Sequence, residues 1–162
     1  MFGQANFKTI YQTRFNFKYL GLHIVNTFKS THKPVIFFDG HCGLCNYVVD
    51  FVIINDPNQS FYFAPLQGRT AKNVLGNSRP DLLMLDTIVV STEKGFFTKS
   101  DAAFFVLSKL KGPIKFVLIF KFLPKFIRDL GYDFIAKHRY LFFAKKTECR
   151  LPTQSQKSLF LD

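Results

Sequence analysis

Four apolar residues, Val35-Ile36-Phe37-Phe38, run into Asp39-Gly40, and one residue later Cys42-Gly43-Leu44-Cys45 leads into a second apolar stretch, Tyr47 to Ile54. The first run has the length of one buried strand, Asp-Gly is turn chemistry, and the second stretch reads as a helix from about Cys42 to Asn55, covered on more than one side. The order strand, tight turn, helix places two cysteines in the first helical turn. Residues three apart on a helix share a face, so the sulfurs can close a disulfide without large backbone movement. A thiol at a helix N-terminus also meets unpaired N–H groups and the positive end of the dipole, which favour the thiolate. The thiolate is the form that attacks disulfides and binds metals.

The rest of the chain follows this opening with a recognisable order. Asp56-Pro57-Asn58 stops the helix, Phe61 to Ala64 is a short strand, and Arg69 to Leu75 is a helix ended by Gly76, with Asn77 to Pro80 as loop. Thr87 to Ser91 and Phe96 to Thr98 form a hairpin around Glu93-Lys94-Gly95. Ser100 supplies an N-cap for a helix to about Leu110, with Asp101 in its first turn. Helices over Ile114 to about Phe122 and Pro124 to about Phe143 follow, Pro124 being suited to the first helical position. The predicted fold class is therefore α/β, a thioredoxin-like mixed sheet flanked by helices, with additional C-terminal helices. Residues 1–33 read as a basic N-terminal extension, 34–152 as the domain and 153–162 as a C-terminal tail.

Length and charge exclude several classes. A chain of 162 residues can bury a substantial core as one domain without disulfide staples. The excess of Phe, 22 residues against no Trp, goes with abundant Lys, Ile and Asn and is read as codon bias. The net charge of +11 is uneven: Met1 to Lys33 has five basic residues and no acid, and Lys109 to Lys157 has twelve basic and three acidic. No helix-turn-helix, zinc-finger or RNP pattern accompanies it, and the lysines are spaced among core-type apolar positions, so a solvated face is favoured and no specific nucleic acid is expected. No apolar stretch approaches the roughly 20 residues that span a bilayer, and no signal peptide is recognised. The acid-free start is compatible with an organellar presequence, a peripheral membrane contact or a flexible extension. Three cysteines do not make a secreted framework, which points to a reducing, cytoplasmic setting.

Several segments resemble the DCC family of thiol-disulfide oxidoreductases, named for its Asp-x-x-Cys-x-x-Cys motif. Phe38-Asp39-Gly40-His41-Cys42-Gly43-Leu44-Cys45 is similar to its opening signature, Phe63-Ala64-Pro65-Leu66-Gln67 to its second-strand segment, and Ser100-Asp101-Ala102 to its polar turn before a helix. Pro124, Arg128, Asp129, Tyr132, Ala136, Arg139 and Tyr140 resemble its C-terminal helical motif, followed by Cys149. The resemblance covers about Pro34 to Pro152 and implies a thioredoxin-like fold and thiol–disulfide exchange. One departure matters: thioredoxins carry a cis-proline before the strand facing the cysteine pair, whereas here Asp86 precedes Thr87.

The expected chemistry is a dithiol with no organic cofactor. Cys42, nearer the helix start and expected to be the more exposed, attacks a disulfide, and Cys45, expected to be more covered, resolves the mixed disulfide. Asp39 either moves a proton or holds the turn by accepting N–H bonds, and His41 modulates Cys42. Arg128 and Arg139 supply positive potential or anion recognition if they pack near the thiols; otherwise Arg128 and Asp129 pair on the helix surface. The expected partners are a disulfide-containing protein or small molecule and a separate reductant. A competing class is a binding or scaffold module whose pair is structural or holds zinc with Cys149 and either His41 or His138, although a second closely spaced pair is lacking. Phe37-Phe38-Asp39-Gly40 superficially resembles the nucleophilic Asp of haloacid-dehalogenase-type phosphatases, but His41 stands where their second acid would be. No Walker loop, dinucleotide fingerprint or His-Glu-x-x-His motif is present.

Overall fold

The computed structural model describes residues 33–84, 87–143 and 152–162. β1 (Val35–Phe38) lies between β2 (Tyr62–Pro65), which it pairs in parallel, and β3 (Val89–Thr92), which it pairs antiparallel. β3 pairs in turn with β4 (Gly95–Thr98), giving the sheet order β2-β1-β3-β4. A central strand is covered on both faces, which is why all four residues of β1 are apolar and buried instead of alternating. The parallel β1–β2 pair requires a crossover, and α1 (Gly43–Asn55) provides it. This mixed βαβ unit with an antiparallel hairpin, flanked by helices, is a thioredoxin-like architecture.

The remaining elements are α2 (Arg69–Ser78), a 3-10 turn (Pro80–Met84), α3 (Lys99–Lys109), a 3-10 segment (Pro113–Phe122), α4 (Lys125–Phe142) and a last 3-10 turn (Lys157–Leu159). Ile36 and Phe38 of β1 join Val49 and Val52 of α1, Val106 of α3 and Leu110 just after it in one buried cluster. Phe37, Ala64 and Val89, aligned across β1, β2 and β3, lie on the opposite face by strand alternation. Among the described residues no helix is long and apolar enough to cross a membrane.

Four local expectations change. Gly76 does not end α2, which continues to Ser78; a Cβ there would meet only Leu83 at 3.6 Å, so the backbone is in an ordinary helical position. Ser100 is not the cap of α3. Lys99 takes a left-handed φ of 51°, turning the chain abruptly out of β4, so Ser100 falls inside the helix and its hydroxyl donates to Asp129 of α4. The stretch after Pro113 is a 3-10 segment, not an α-helix, and Pro124 stands at the cap position of α4, one residue before its start.

The last residues, read as a tail, belong to the folded unit. Phe160 forms a parallel bridge with Phe63, Leu161 donates its N–H to the Phe63 carbonyl at 3.0 Å, and the Phe160 ring stacks on Phe63 at 5.5 Å. Asp162 then accepts from the N–H and hydroxyl of Thr70, each at 3.1 Å. The N-cap of α2 is Gly68, which has no side chain to cap with, so the Asp162 carboxylate satisfies the helix start from a distance of 92 residues.

Candidate active site

Cys42 caps α1. Its backbone is extended, with φ −88° and ψ 117°, and its Sγ accepts the N–H of Cys45 at 3.3 Å. The capping oxygen of an ordinary Ser or Asp is thus replaced by sulfur, and a thiolate there would face an orphan helix N–H directly. Both cysteines are free thiols. The expected order of exposure is corrected: Cys42 is 0% exposed and Cys45 6%. The cause is the cap itself, which turns the Cys42 side chain inward onto its own helix and into the cluster beneath β1.

Burial pushes the Cys45 thiol well above its ordinary value, the hydrogen bond and charge of Cys42 add to this, and Arg139 works in the opposite direction. Arg139 is 3% exposed. Burial opposes its charge, yet Tyr140 and the two thiols outweigh it, so its pKa lies above the ordinary value. Its guanidinium sits 3.6 Å from the Asp39 carboxylate, donates to the Tyr140 hydroxyl at 2.8 Å and lies over the Tyr140 ring.

Asp39 ties this cation to the turn before Cys42. Oδ1 accepts the backbone N–H of His41 at 3.0 Å and the side-chain amide of Gln67 at 2.9 Å, and Oδ2 accepts the Tyr140 hydroxyl at 3.3 Å. Gln67 returns its own oxygen to the N–H of Gly40 at 3.2 Å, and Asn46, one turn into α1, donates to the Gly40 carbonyl at 3.0 Å. The turn is therefore held from the loop after β2, α1 and α4. Of the residues read from the sequence, Asp39, Arg139, Cys42 and Cys45 come together, and His41 contributes its backbone N–H.

Arg128 does not join them. Its guanidinium donates to Asp101 at 3.1 Å and to the Leu123 carbonyl at 3.1 Å, and stacks over Phe104, which fastens α4 to α3. Asp129 likewise reaches across to Ser100 instead of pairing with Arg128. Gln67 and Asn46 were missed as site residues because their roles depend on a turn remote in sequence or on a side chain pointing back along its own helix. Tyr132 was legible only as part of a motif; its hydroxyl meets the Thr87 hydroxyl at 2.7 Å and accepts the Ile88 N–H at 3.2 Å.

Beside Cys45 lies an apolar cavity of about 330 Å³, bordered by Ile36, Val49, Ile88, Tyr132 and Arg139 as well as by Cys45 itself. The second thiol, not the first, faces this space. Cys149 and Asp86 lie outside the described residues, so the zinc reading that uses Cys149 and the position before Thr87 are not described. Among the described residues, no group of three or more His, Cys, Asp or Glu is placed to hold a metal ion. His138 bonds through Nδ1 to the Phe134 carbonyl of its own helix at 2.8 Å.

A cysteine that caps the crossover helix at the end of a central strand, with its partner one turn on, defines a thioredoxin-like protein with a C-x-x-C pair. The chain belongs to the DCC1-like thiol-disulfide oxidoreductase family, whose model matches residues 36–145. It is similar to the uncharacterized protein YuxK of Bacillus subtilis, 42% identical over 127 residues that make up 78% of this chain and 93% of the relative. It is also similar to a chloroplastic DCC family protein of Arabidopsis thaliana, 31% identical over 125 residues, or 76% of this chain and 73% of that protein. No solved structure matches the chain significantly.

Proposed function

We propose that this protein is a protein-disulfide reductase of the dithiol type, with Cys42 as nucleophile and Cys45 as resolving thiol. The observation that carries this is the asymmetry of the pair: the Cys42 sulfur accepts a helix N–H, whereas the Cys45 proton is held by burial and by Cys42. The Cys42 thiolate attacks one sulfur of the substrate disulfide, forming a mixed disulfide and releasing one substrate thiol after protonation. Cys45 then gives up its proton and attacks Cys42 Sγ, which closes the Cys42–Cys45 disulfide and releases the second thiol. A separate dithiol reductant returns two electrons and two protons. Arg139 favours the negative charge that develops on the Cys45 sulfur, and Asp39 keeps Arg139 and the turn in place. No organic cofactor takes part in this cycle, and a reducing, cytoplasmic compartment suits it.

Complete burial of Cys42 means that attack requires a local opening, bordered by the half-exposed residues His41, Gly43 and Leu44. The same burial favours a second reading, in which the pair is structural and the protein a binding module. Reduction of a disulfide-bonded protein by dithiothreitol separates the two. Acceleration by the wild-type chain, lost in Cys42→Ser, with a substrate adduct on Cys42 accumulating in Cys45→Ser, is the expected result. A rate unchanged by Cys42→Ser would remove the redox reading, and one stoichiometric zinc that masks the thiols until chelation would support the binding module.

A further inference from the structure

The 3-10 segment Pro113–Phe122 is apolar at seven of its ten residues, and none of the ten is buried. Phe116 is 82% and Phe122 90% exposed, and further along the chain Phe126 and Leu130 of α4 are also exposed. Scattered surface hydrophobes are ordinary, but a contiguous run of large side chains held in water marks a surface that something covers. The basic residues follow the same stretch. From Lys109 to Leu123 there are four lysines and no acid, and among the described residues Lys109, Lys111, Lys115 and Lys121 form no ion pair. Lys125 and Arg128, by contrast, are bound to Asp101. Charges kept unpaired beside exposed phenylalanines are an arrangement for an anionic partner with an apolar interior.

Three occupants can be compared by charge. A second copy packed by a two-fold axis would set the same lysines against themselves. The N-terminal stretch, with five basic residues and no acid, carries the same sign. Of the three, an anionic phospholipid surface meets both features, taking aromatic side chains at the acyl boundary and lysines at the headgroups. We propose that the face from Pro113 to Leu130 docks on an anionic membrane surface, with Phe116, Phe122 and Phe126 inserted and Lys115 and Lys121 among the headgroups. The docking residues belong to the described domain and not to the basic N-terminal stretch, and the docking rests on no step of the redox chemistry. α4 then serves two sides: Tyr132 and Arg139 line the cavity at Cys45, while Phe126 and Leu130 face outward.

Co-sedimentation of the full chain with vesicles tests this, using phosphatidylcholine alone and phosphatidylcholine mixed with phosphatidylglycerol. Binding to the anionic vesicles is expected, weakened by salt and at least about tenfold weaker on neutral ones. The pairs Phe116→Ser/Phe122→Ser and Lys115→Glu/Lys121→Glu should each lower it about tenfold or more. Circular dichroism should be unchanged, since all four side chains project from a segment with no buried residue. No binding to anionic vesicles, or binding that survives both pairs of substitutions, would overturn the proposal. A dimer in solution that the Phe pair disperses, without vesicle binding, would overturn it in favour of a second copy.

Discussion

Cys42 and Cys45 differ in what their sulfurs meet, and that difference sets their chemistry more than their positions along the helix do. The Cys45 thiol is raised first by burial, so its thiolate stays scarce through neutral pH. In a Cys42→Ser chain, where burial remains, carboxymethylation of Cys45 should keep accelerating above about pH 8.5, where an ordinary cysteine levels off. A plateau at that pH would show that burial does not hold the proton. Arg139 faces both the thiols and Asp39. Arg139→Gln should lower unfolding free energy by about 3 kcal/mol, because it leaves the buried Asp39 carboxylate without its cation. It should also slow Cys45 alkylation further, since Arg139 opposes the other influences on that thiol. Arg139→Lys should recover part of the stability only, as one ammonium cannot reproduce the guanidinium's contacts with both Asp39 and Tyr140. Denaturant titration measures both.

At the scale of elements, α4 positions the site, and its anchorage is polar. Tyr132 bonds to Thr87 and to the Ile88 N–H just ahead of β3, so one hydroxyl links the helix to the sheet. Tyr132→Phe should cost about 1–2 kcal/mol, read as a lower denaturation midpoint with unchanged slope. Burial raises the Tyr132 pKa above its ordinary value, with its hydrogen bonds to Thr87 and Ile88 acting the other way. The neutral phenol is thus the folded form. Its contribution is complete below the unfolded value of about 10 and is lost as pH rises through the folded one, when the unfolded chain ionises first. Stability should accordingly fall more steeply in alkali for the wild type than for Tyr132→Phe; equal slopes would count against this assignment.

For the molecule as a whole, the C-terminal residues shield part of the β2 edge of the sheet. An exposed β2 would be a template for pairing with other chains, and the Phe63–Phe160 bridge covers part of it. Phe160 also meets Phe38 edge-on at 6.3 Å, so the last turn reaches the strand that carries the site. Phe160→Ala should destabilise the fold by about 2 kcal/mol, less than a fully buried Phe because this ring is half-exposed. A midpoint of thermal unfolding shifted downward by several degrees is the expected measurement; no shift would return these residues to the status of a tail.

The continuous apolar run of β1, the Asp-Gly turn and the second apolar stretch stopped by Asp56-Pro57 determined the strand, the turn and the helix with its two cysteines, because each depends on residues within a few positions. Turn signals around Gly95 did the same for the hairpin. The family motif made Asp39, Tyr132 and Arg139 visible, though not their partners. Which arginine meets the thiols was decided by the docking of α4, which sends Arg139 to Asp39 and Arg128 to Asp101 although both lie on one helix. The burial of Cys42, the capping of α2 by Asp162 and the exposure of Phe116 and Phe122 have the same origin. Each depends on whether a segment distant in sequence covers the residue, and local periodicity records which face is apolar without recording what lies against it.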